Sequence, residues 1–130
     1  MSKEFIAYRG IEFTIEWYFN INEESFAQRY FDALMKDRQK KVFSLFRLMA
    51  DGGKIFNIEK FRHEGDQIYA FKPLPDRFLC FFFSGSKIII TNAFEKKTDK
   101  LPEKEKERAL KYRDDYITRI KKGAYYEDKK

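Results

Sequence analysis

Two long apolar runs separated by a short turn constrain the fold of this chain most strongly. The first run extends from Arg77 to Phe83 and the second from Lys87 to Phe94, with Ser84-Gly85-Ser86 between them. A connection this short predicts a β-hairpin. Neither run alternates apolar and polar residues, which is typical of strands that are covered on both faces. The sequence therefore predicts a hairpin in the central part of a sheet.

Two further strands are predicted from shorter segments. Ile11 to Phe19 alternates apolar and polar residues and is rich in aromatic and β-branched types, which favours a first strand. Gln67 to Lys72 is a second strand, and Ile55 to Phe61 could also be extended. Pro73-Leu74-Pro75-Asp76 is a connection, because its two prolines cannot donate to a strand ladder.

Helical spacing of apolar residues accounts for most of the remaining chain. Asn20 and Glu23 have the spacing of a capping box, and periodicity from about residue 21 to 51 predicts one broken helix or a helical hairpin. Gly52-Gly53 ends this segment. Pro102 suits the first turn of a last helix, which ends at Gly123.

The predicted order of elements is β-α-α-β-β-β-α. This order defines an α+β fold with an antiparallel-rich sheet of about four strands, an N-terminal helical hairpin and a C-terminal helix. We expect the helices to pack on one face. A chain of 130 residues predicts a single domain, 1–130, in which 123–130 form a flexible tail.

Charge and composition narrow the range of partners. There are 27 Lys and Arg residues against 21 Asp and Glu, a formal charge of +6 that favours polyanions such as nucleic acid or an acidic protein. Cys80 is the one cysteine, so an internal disulfide is excluded. With no glycine-rich phosphate loop and no metal-ligand spacing, we expect no cofactor and no metal. The absence of a signal sequence or an apolar span predicts a cytoplasmic protein without membrane contact.

Basic residues mark the ends of three predicted strands. Lys72 ends the second strand, Arg77 starts the third, and Lys96-Lys97 follow the fourth. In an antiparallel arrangement these strand ends lie at the same edge of the sheet. The sequence therefore predicts four cations at one rim, where a phosphate backbone could bind.

Such a rim could cleave RNA without a metal ion, by promoting attack of the RNA 2′-hydroxyl on the adjacent phosphate. The reaction needs a base for the 2′ proton and cations around the phosphorane oxygens. Arg77 and Lys97 fit charge stabilisation, and Lys72 could be the base if cationic neighbours lower its pKa.

Substrate-binding roles are predicted for a second group of side chains. His63 is the sole histidine, which excludes catalysis by paired histidines. It could stack on a base or move a proton, as could either of two C-terminal tyrosines. The predicted substrate-binding residues are Lys96, His63, Arg62, Tyr125 and Tyr126.

Four segments resemble elements of the RelE/HigB-type toxins, in the phage-derived branch of the RelE/ParE superfamily. Ile68 to Lys72 looks like the "LyElR" strand of that family, and Asp76-Arg77-Phe78 like its "yRv" segment. Phe94 to Thr98 is similar to "FxKKt". Leu101 to Tyr116 resembles "tPxxeixxAxxrxxdy".

The resemblance implies a RelE-like fold, mRNA cleavage on the ribosome and an adjacent antitoxin, a helix-turn-helix protein, that neutralises the basic face. By position, it assigns the catalytic rim to Lys72, Arg77, Lys96 and Lys97. The chain departs from the family at Ala70 and Lys72, where the family has glutamate and arginine. The paired lysines that RelE carries on this strand fall near Ile68 and Ala70.

Three functions follow from these observations. The first is the toxin of a type II toxin–antitoxin pair that acts as a ribosome-dependent endoribonuclease. The second is a toxin with the same fold that acts by binding, as ParE-like relatives do on gyrase, and absence of a catalytic base would favour it. The third is a phage-derived binding module for RNA or an acidic protein. Whether the chain is an enzyme therefore stays open at this stage.

Overall fold

The computed structural model describes residues 4–127, which form three helices and one six-stranded sheet. The fold is α+β, as predicted, but the sheet has six strands rather than about four and the order of elements is β-β-α-α-β-β-β-β-α. The strands are β1 (Ile6–Arg9), β2 (Thr14–Trp17), β3 (Phe61–His63), β4 (Tyr69–Phe71), β5 (Asp76–Phe83) and β6 (Lys87–Glu95), and the helices are α1 (Phe26–Asp32), α2 (Lys36–Gly52) and α3 (Glu103–Lys121).

The sheet confirms the predicted central hairpin. Its strand order is β1-β2-β6-β5-β4-β3, so β5 and β6 occupy the middle. All neighbouring strands are antiparallel except β2 and β6, which are parallel. Ile88, Ile89 and Ile90 are consecutive and fully buried. Successive side chains of a strand point to opposite faces, so both faces of β6 must be covered.

Helices cover both faces of the sheet, and the prediction that they pack on one face is wrong. Phe78 belongs to a cluster with Phe46 of α2, whereas the next residue, Leu79, belongs to a second cluster with Tyr116 of α3. Because neighbouring residues of β5 are both apolar, one helical layer could bury only half of them. The core therefore has two layers, one beneath α1 and α2 and one beneath α3.

The two additional strands lie at the edges of the sheet. The predicted strand from Ile11 to Phe19 begins only at Thr14, because the backbone N–H of Gly10 donates to the carbonyl oxygen of Phe13 (2.8 Å) and the chain turns there. The preceding segment then pairs with β2 as strand β1. On the opposite edge, a turn between Asn57 and Lys60 interrupts the segment from Ile55 to Phe61, which the sequence suggested could be extended. Strand β3 therefore begins only at Phe61.

Two helices, α1 and α2, occupy the segment predicted as one broken helix or a helical hairpin, although the first cap lies elsewhere than predicted. Ser25 precedes α1 and its hydroxyl accepts from the N–H of Gln28 at 3.2 Å. Asn20, the predicted cap, accepts from the N–H of Asn22 and so stabilises the turn before the helix. Helix α2 ends as predicted, since Gly53 has a φ of 82° and its N–H donates to the carbonyl oxygen of Met49.

Candidate nucleic-acid interface

Basic residues lie at one end of the sheet, where β4 ends, β5 begins and β6 ends. Lys72 directly follows β4, and Arg77 pairs with Phe94 across β5 and β6. The N–H of Lys96 donates to the carbonyl oxygen of Pro75 at 2.7 Å, which joins the end of β6 to the start of β5. We call Lys72, Arg77 and Lys96, together with Arg62 of β3, the basic rim.

The electrostatic interactions of Lys72 show that the members of the basic rim are neighbours. Burial lowers the pKa of Lys72 most, and the positive charges of Arg77, Arg62 and Lys96 lower it further. The Nζ atom of Lys72 donates to the carbonyl oxygen of Ile58 at 3.1 Å. With its pKa lowered by burial and by neighbouring cations, Lys72 loses its proton more easily than a free lysine, so a larger fraction of it is neutral.

Arg77 is the most enclosed cation of the basic rim, with 8% of its surface exposed. Its Nη1 atom donates to the carbonyl oxygen of Asp76 at 3.0 Å. Burial lowers the pKa of Arg77, and the carboxylates of Glu64, Asp99 and Asp76 counteract that effect. The guanidinium is thus fixed in place before any ligand binds, as a group that stabilises a developing phosphorane charge needs to be.

An exposed carboxylate balances Lys96. The Nζ atom of Lys96 lies 2.6 Å from Oδ1 of Asp99, whose side chain is 96% exposed. Lys96 lowers the pKa of Asp99 most, and Lys72 and Arg77 also lower it. Since an exposed ion pair contributes little stability, a phosphate could displace Asp99 at small cost. Asp99 therefore marks where an anion is attracted by three cations together.

Two of the predicted residues lie beside the basic rim rather than in it. Lys97 is exposed, and in the described part of the chain no hydrogen bond or ion pair joins it to a member of the basic rim. His63 is also exposed; its Nε2 atom accepts from the N–H of Gln67 at 3.2 Å, and its ring lies 4.8 Å from that of Tyr69. Arg62 and His63 are consecutive in β3 and so point to opposite faces, which places Arg62 in the rim and His63 outside it.

The two C-terminal tyrosines lie away from the basic rim. Tyr125 is 1% exposed and its hydroxyl accepts from the N–H of Phe19 at 2.9 Å, so this part of the predicted tail packs on the α3 layer; residues 128–130 of that tail lie outside the described range. Tyr126 donates to Oε1 of Glu16 and accepts from Lys87, each at 2.8 Å. Lys87 begins β6, about 26 Å from the other end of that strand at a rise of about 3.3 Å per residue.

Buried apolar residues occupy the strand positions that carry paired lysines in RelE. Ile68 is fully buried and Ala70 is 1% exposed, and both pack in the cluster that contains Ala109 and Tyr116 of α3. No proton acceptor is available at either position.

Sequence reasoning missed the network that supports the basic rim. Asp76 is completely buried, and its carboxylate accepts from Tyr30 of α1 and from Arg38 of α2. The sequence assigned Asp76 to the polar connection that contains Pro75. Its place immediately before a buried strand was the one indication that its side chain is buried, and nothing in the sequence indicated its partners.

Two features are absent from residues 4–127. No helix in that range combines the length and apolarity needed to cross a membrane. Nor does it contain a group of three His, Cys, Asp or Glu side chains placed to hold a metal ion.

Fold and site together define a class, a small α+β domain with a cationic edge on an antiparallel-rich sheet. A family model described as "Phage derived protein Gp49-like (DUF891)" matches residues 29–114, about two-thirds of the chain. The protein belongs to this family, which is a toxin-like family of the RelE/ParE type. No curated protein matches the chain. The matched segment runs from α1 into α3 and contains the whole basic rim.

Proposed function

We propose that this protein is the toxin of a type II toxin–antitoxin pair and that its basic rim cleaves mRNA on the ribosome without a metal ion. Membership of a toxin-like, phage-derived family supports the first part. The observation that carries the second part is the meeting of Lys72, Arg77 and Lys96 at one end of the sheet, with the pKa of Lys72 lowered by the other cations. We place the protein in the HigB-like branch and assign it a RelE-like fold.

The chemistry follows from the positions of three side chains. Lys72, in its neutral form, takes the proton from the 2′-hydroxyl, and the resulting oxygen attacks the adjacent phosphorus. Arg77 and Lys96 stabilise the negative charge that develops on the phosphorane oxygens. Lys97, exposed beside them, binds the neighbouring phosphate. The 5′-oxygen leaves with a proton from water, and a 2′,3′-cyclic phosphate remains on the upstream fragment.

The proposed partners follow from the charge of the basic rim. The ribosome presents mRNA to the rim, and an acidic segment of an antitoxin encoded beside this gene covers the same cations in the inactive complex. We propose that the antitoxin is a small helix-turn-helix protein. All of these partners are cytoplasmic.

The test is inducible expression in a bacterial host, with growth and transcript 5′ ends followed together. We expect growth arrest with new cuts inside translated regions, and loss of both effects in Arg77→Met. Arg29→Met is the matched control, because Arg29 is 63% exposed and forms a surface ion pair with Glu24. A folded Arg77→Met variant that still cuts transcripts would disprove the assignment of the rim.

A binding toxin without nuclease activity is the second candidate, and one observation favours it. Ile68 and Ala70 are buried beneath α3, so the strand lysines that supply a base in RelE have no counterpart here. Growth arrest without new transcript cuts, accompanied by loss of DNA supercoiling, would indicate a gyrase inhibitor. Soluble expression without growth arrest would instead indicate an RNA- or protein-binding module on this fold.

A further inference from the structure

A cavity next to the basic rim extends the positive surface to the edge of the sheet. Its volume is about 400 Å³. It is lined by Lys41, Asn57, Glu59, Lys60, Lys72 and Leu74. Lys72 is therefore shared between the cavity and the basic rim. We call this cavity the flanking cavity.

The sheet aligns two lysines of the flanking cavity, Lys60 and Lys72, with the rest of the basic rim. The N–H of Lys72 donates to the carbonyl oxygen of Lys60 at 2.8 Å, so these residues lie side by side where β3 begins and β4 ends. Arg77 and Lys96 continue the row at the ends of β5 and β6. Four adjacent strands about 4.8 Å apart give the row a length of about 14 Å. A row of this length spans more than one phosphate of an extended strand.

Charge and apolar surface in the flanking cavity suit a nucleotide. Lys41, Lys60 and Lys72 oppose the single carboxylate of Glu59, so the lining is net positive. Leu74 lines the cavity and is 56% exposed, which provides an apolar surface for a base. On the adjoining loop, Phe56 is 86% exposed. Positive groups that follow a backbone, beside exposed apolar or aromatic side chains, characterise sites for single-stranded nucleic acid.

We propose that the flanking cavity binds the nucleotide next to the phosphate held at the basic rim, in single-stranded RNA. The inference rests on the proposed function, since it takes the rim as the site of the scissile phosphate. Lys60 and Lys41 contact the flanking phosphate, and the base lies against Leu74. Lys72, whose Nζ atom donates to the carbonyl oxygen of Ile58, connects the two subsites.

Binding of a non-cleavable RNA tests this inference. The probe is a fluorescent single strand of about eight nucleotides, with 2′-O-methyl groups that prevent attack on phosphorus, and the readout is anisotropy at several salt concentrations. The test variant is Lys41→Ala/Lys60→Ala. Its control is Lys121→Ala/Lys122→Ala, which also removes two exposed positive charges but at the C-terminal end of α3.

We expect the test variant to bind more weakly and to lower the slope of log K against log salt by about 0.7, the value for one phosphate of a single strand that is no longer neutralised. The control variant should bind like the unmodified protein. Equal binding by the two variants would overturn the inference, as would displacement of RNA by polyglutamate at the same charge concentration, which would assign the cavity to an acidic protein.

Arg77→Met in the same assay separates this inference from the proposed function. If Arg77→Met loses binding while Lys41→Ala/Lys60→Ala binds normally, the role of the basic rim is retained and the nucleotide site in the flanking cavity is disproved. The reverse result retains a nucleotide site in the cavity and disproves the rim. Unmodified protein that does not bind the probe overturns both.

Discussion

The carboxylate of Asp76 is fully buried and accepts a hydrogen bond from Nε of Arg38, with 3.0 Å between Nε and Oδ2. Nη2 of Arg38 donates to the other carboxylate oxygen, so the contact is bidentate. The carbonyl oxygen of Asp76 in turn accepts from Arg77. The Asp76–Arg38 ion pair thus joins α2 to Asp76, whose carbonyl oxygen accepts from Arg77, the most enclosed cation of the basic rim.

Asp76→Asn should destabilise the protein, because an amide cannot accept both guanidinium bonds and its NH₂ group faces donors. We expect a loss of roughly 2–3 kcal/mol in the free energy of unfolding, the value for hydrogen bonds to charged groups. Denaturation by urea measures it. Glu24→Gln is the control, since Glu24 pairs with Arg29 at the surface, with side chains 41% and 63% exposed, and should cost less than about 1 kcal/mol. Equal losses in both variants would contradict a special role for the buried pair.

Gly10→Ala should destabilise the first hairpin. A Cβ atom at Gly10 would lie 2.5 Å from the backbone of Ala50 in α2, where the N–H groups of Glu12 and Phe13 also converge on the Ala50 carbonyl oxygen. We expect a loss of about 1–3 kcal/mol from this overlap, measured by urea denaturation. Gly52→Ala is the matched control, since nothing lies within 4 Å of a Cβ there, and it should be neutral or slightly stabilising. A neutral Gly10→Ala would show that β1 and α2 separate easily.

The central hairpin could be predicted from the sequence because its signal is local. The apolar runs of β5 and β6 are long, and only a three-residue turn separates them. The location of Lys72, Arg77 and Lys96 followed from that pairing, since antiparallel strands bring their ends together. The same pattern of two buried faces also implies a helical layer on each side of the sheet, yet the helices were predicted to pack on one face.

The edge strands and the supporting network could not be predicted in this way. β1 and β3 contain four and three residues, too few for a periodic pattern to stand out. The partners of Asp76 lie 38 and 46 residues away along the chain, so only the packing of α1 and α2 on the sheet brings them together. Tyr125 was similarly assigned to a tail because its contact with Phe19 spans 106 residues.

The ionisation of Lys72 should depend on the other cations of the basic rim. Burial and the charges of Arg77, Arg62 and Lys96 lower its pKa, and a base must be neutral to accept a proton. RNA cleavage should therefore increase with pH up to this lowered pKa. Arg62→Met removes one positive charge, so it should raise the pKa of Lys72 and move the increase to higher pH.

Two measurements check that shift independently. The pH–rate profile reports it in cleavage, and NMR titration of lysines carrying ¹³C-methyl groups reports it at Lys72 itself. Arg29→Met should leave both curves in place, because Arg29 is not among the charges that shift the pKa of Lys72. An Arg62→Met profile that moves to lower pH would reverse the sign and rule out Lys72 as the base.

Tyr125→Phe should lower stability without changing RNA binding. The hydroxyl of Tyr125 is the acceptor for the buried N–H of Phe19, and phenylalanine would leave that donor without its partner. We expect a loss of about 1–3 kcal/mol in the free energy of unfolding. Tyr112→Phe is the control, because the ring of Tyr112 stacks on Tyr18 at 4.8 Å and phenylalanine keeps that contact. Since Tyr125 is buried, RNA affinity should be unchanged in both variants at a temperature where they are folded. Weaker RNA binding by folded Tyr125→Phe, with unchanged stability, would restore the substrate-binding role that the sequence suggested.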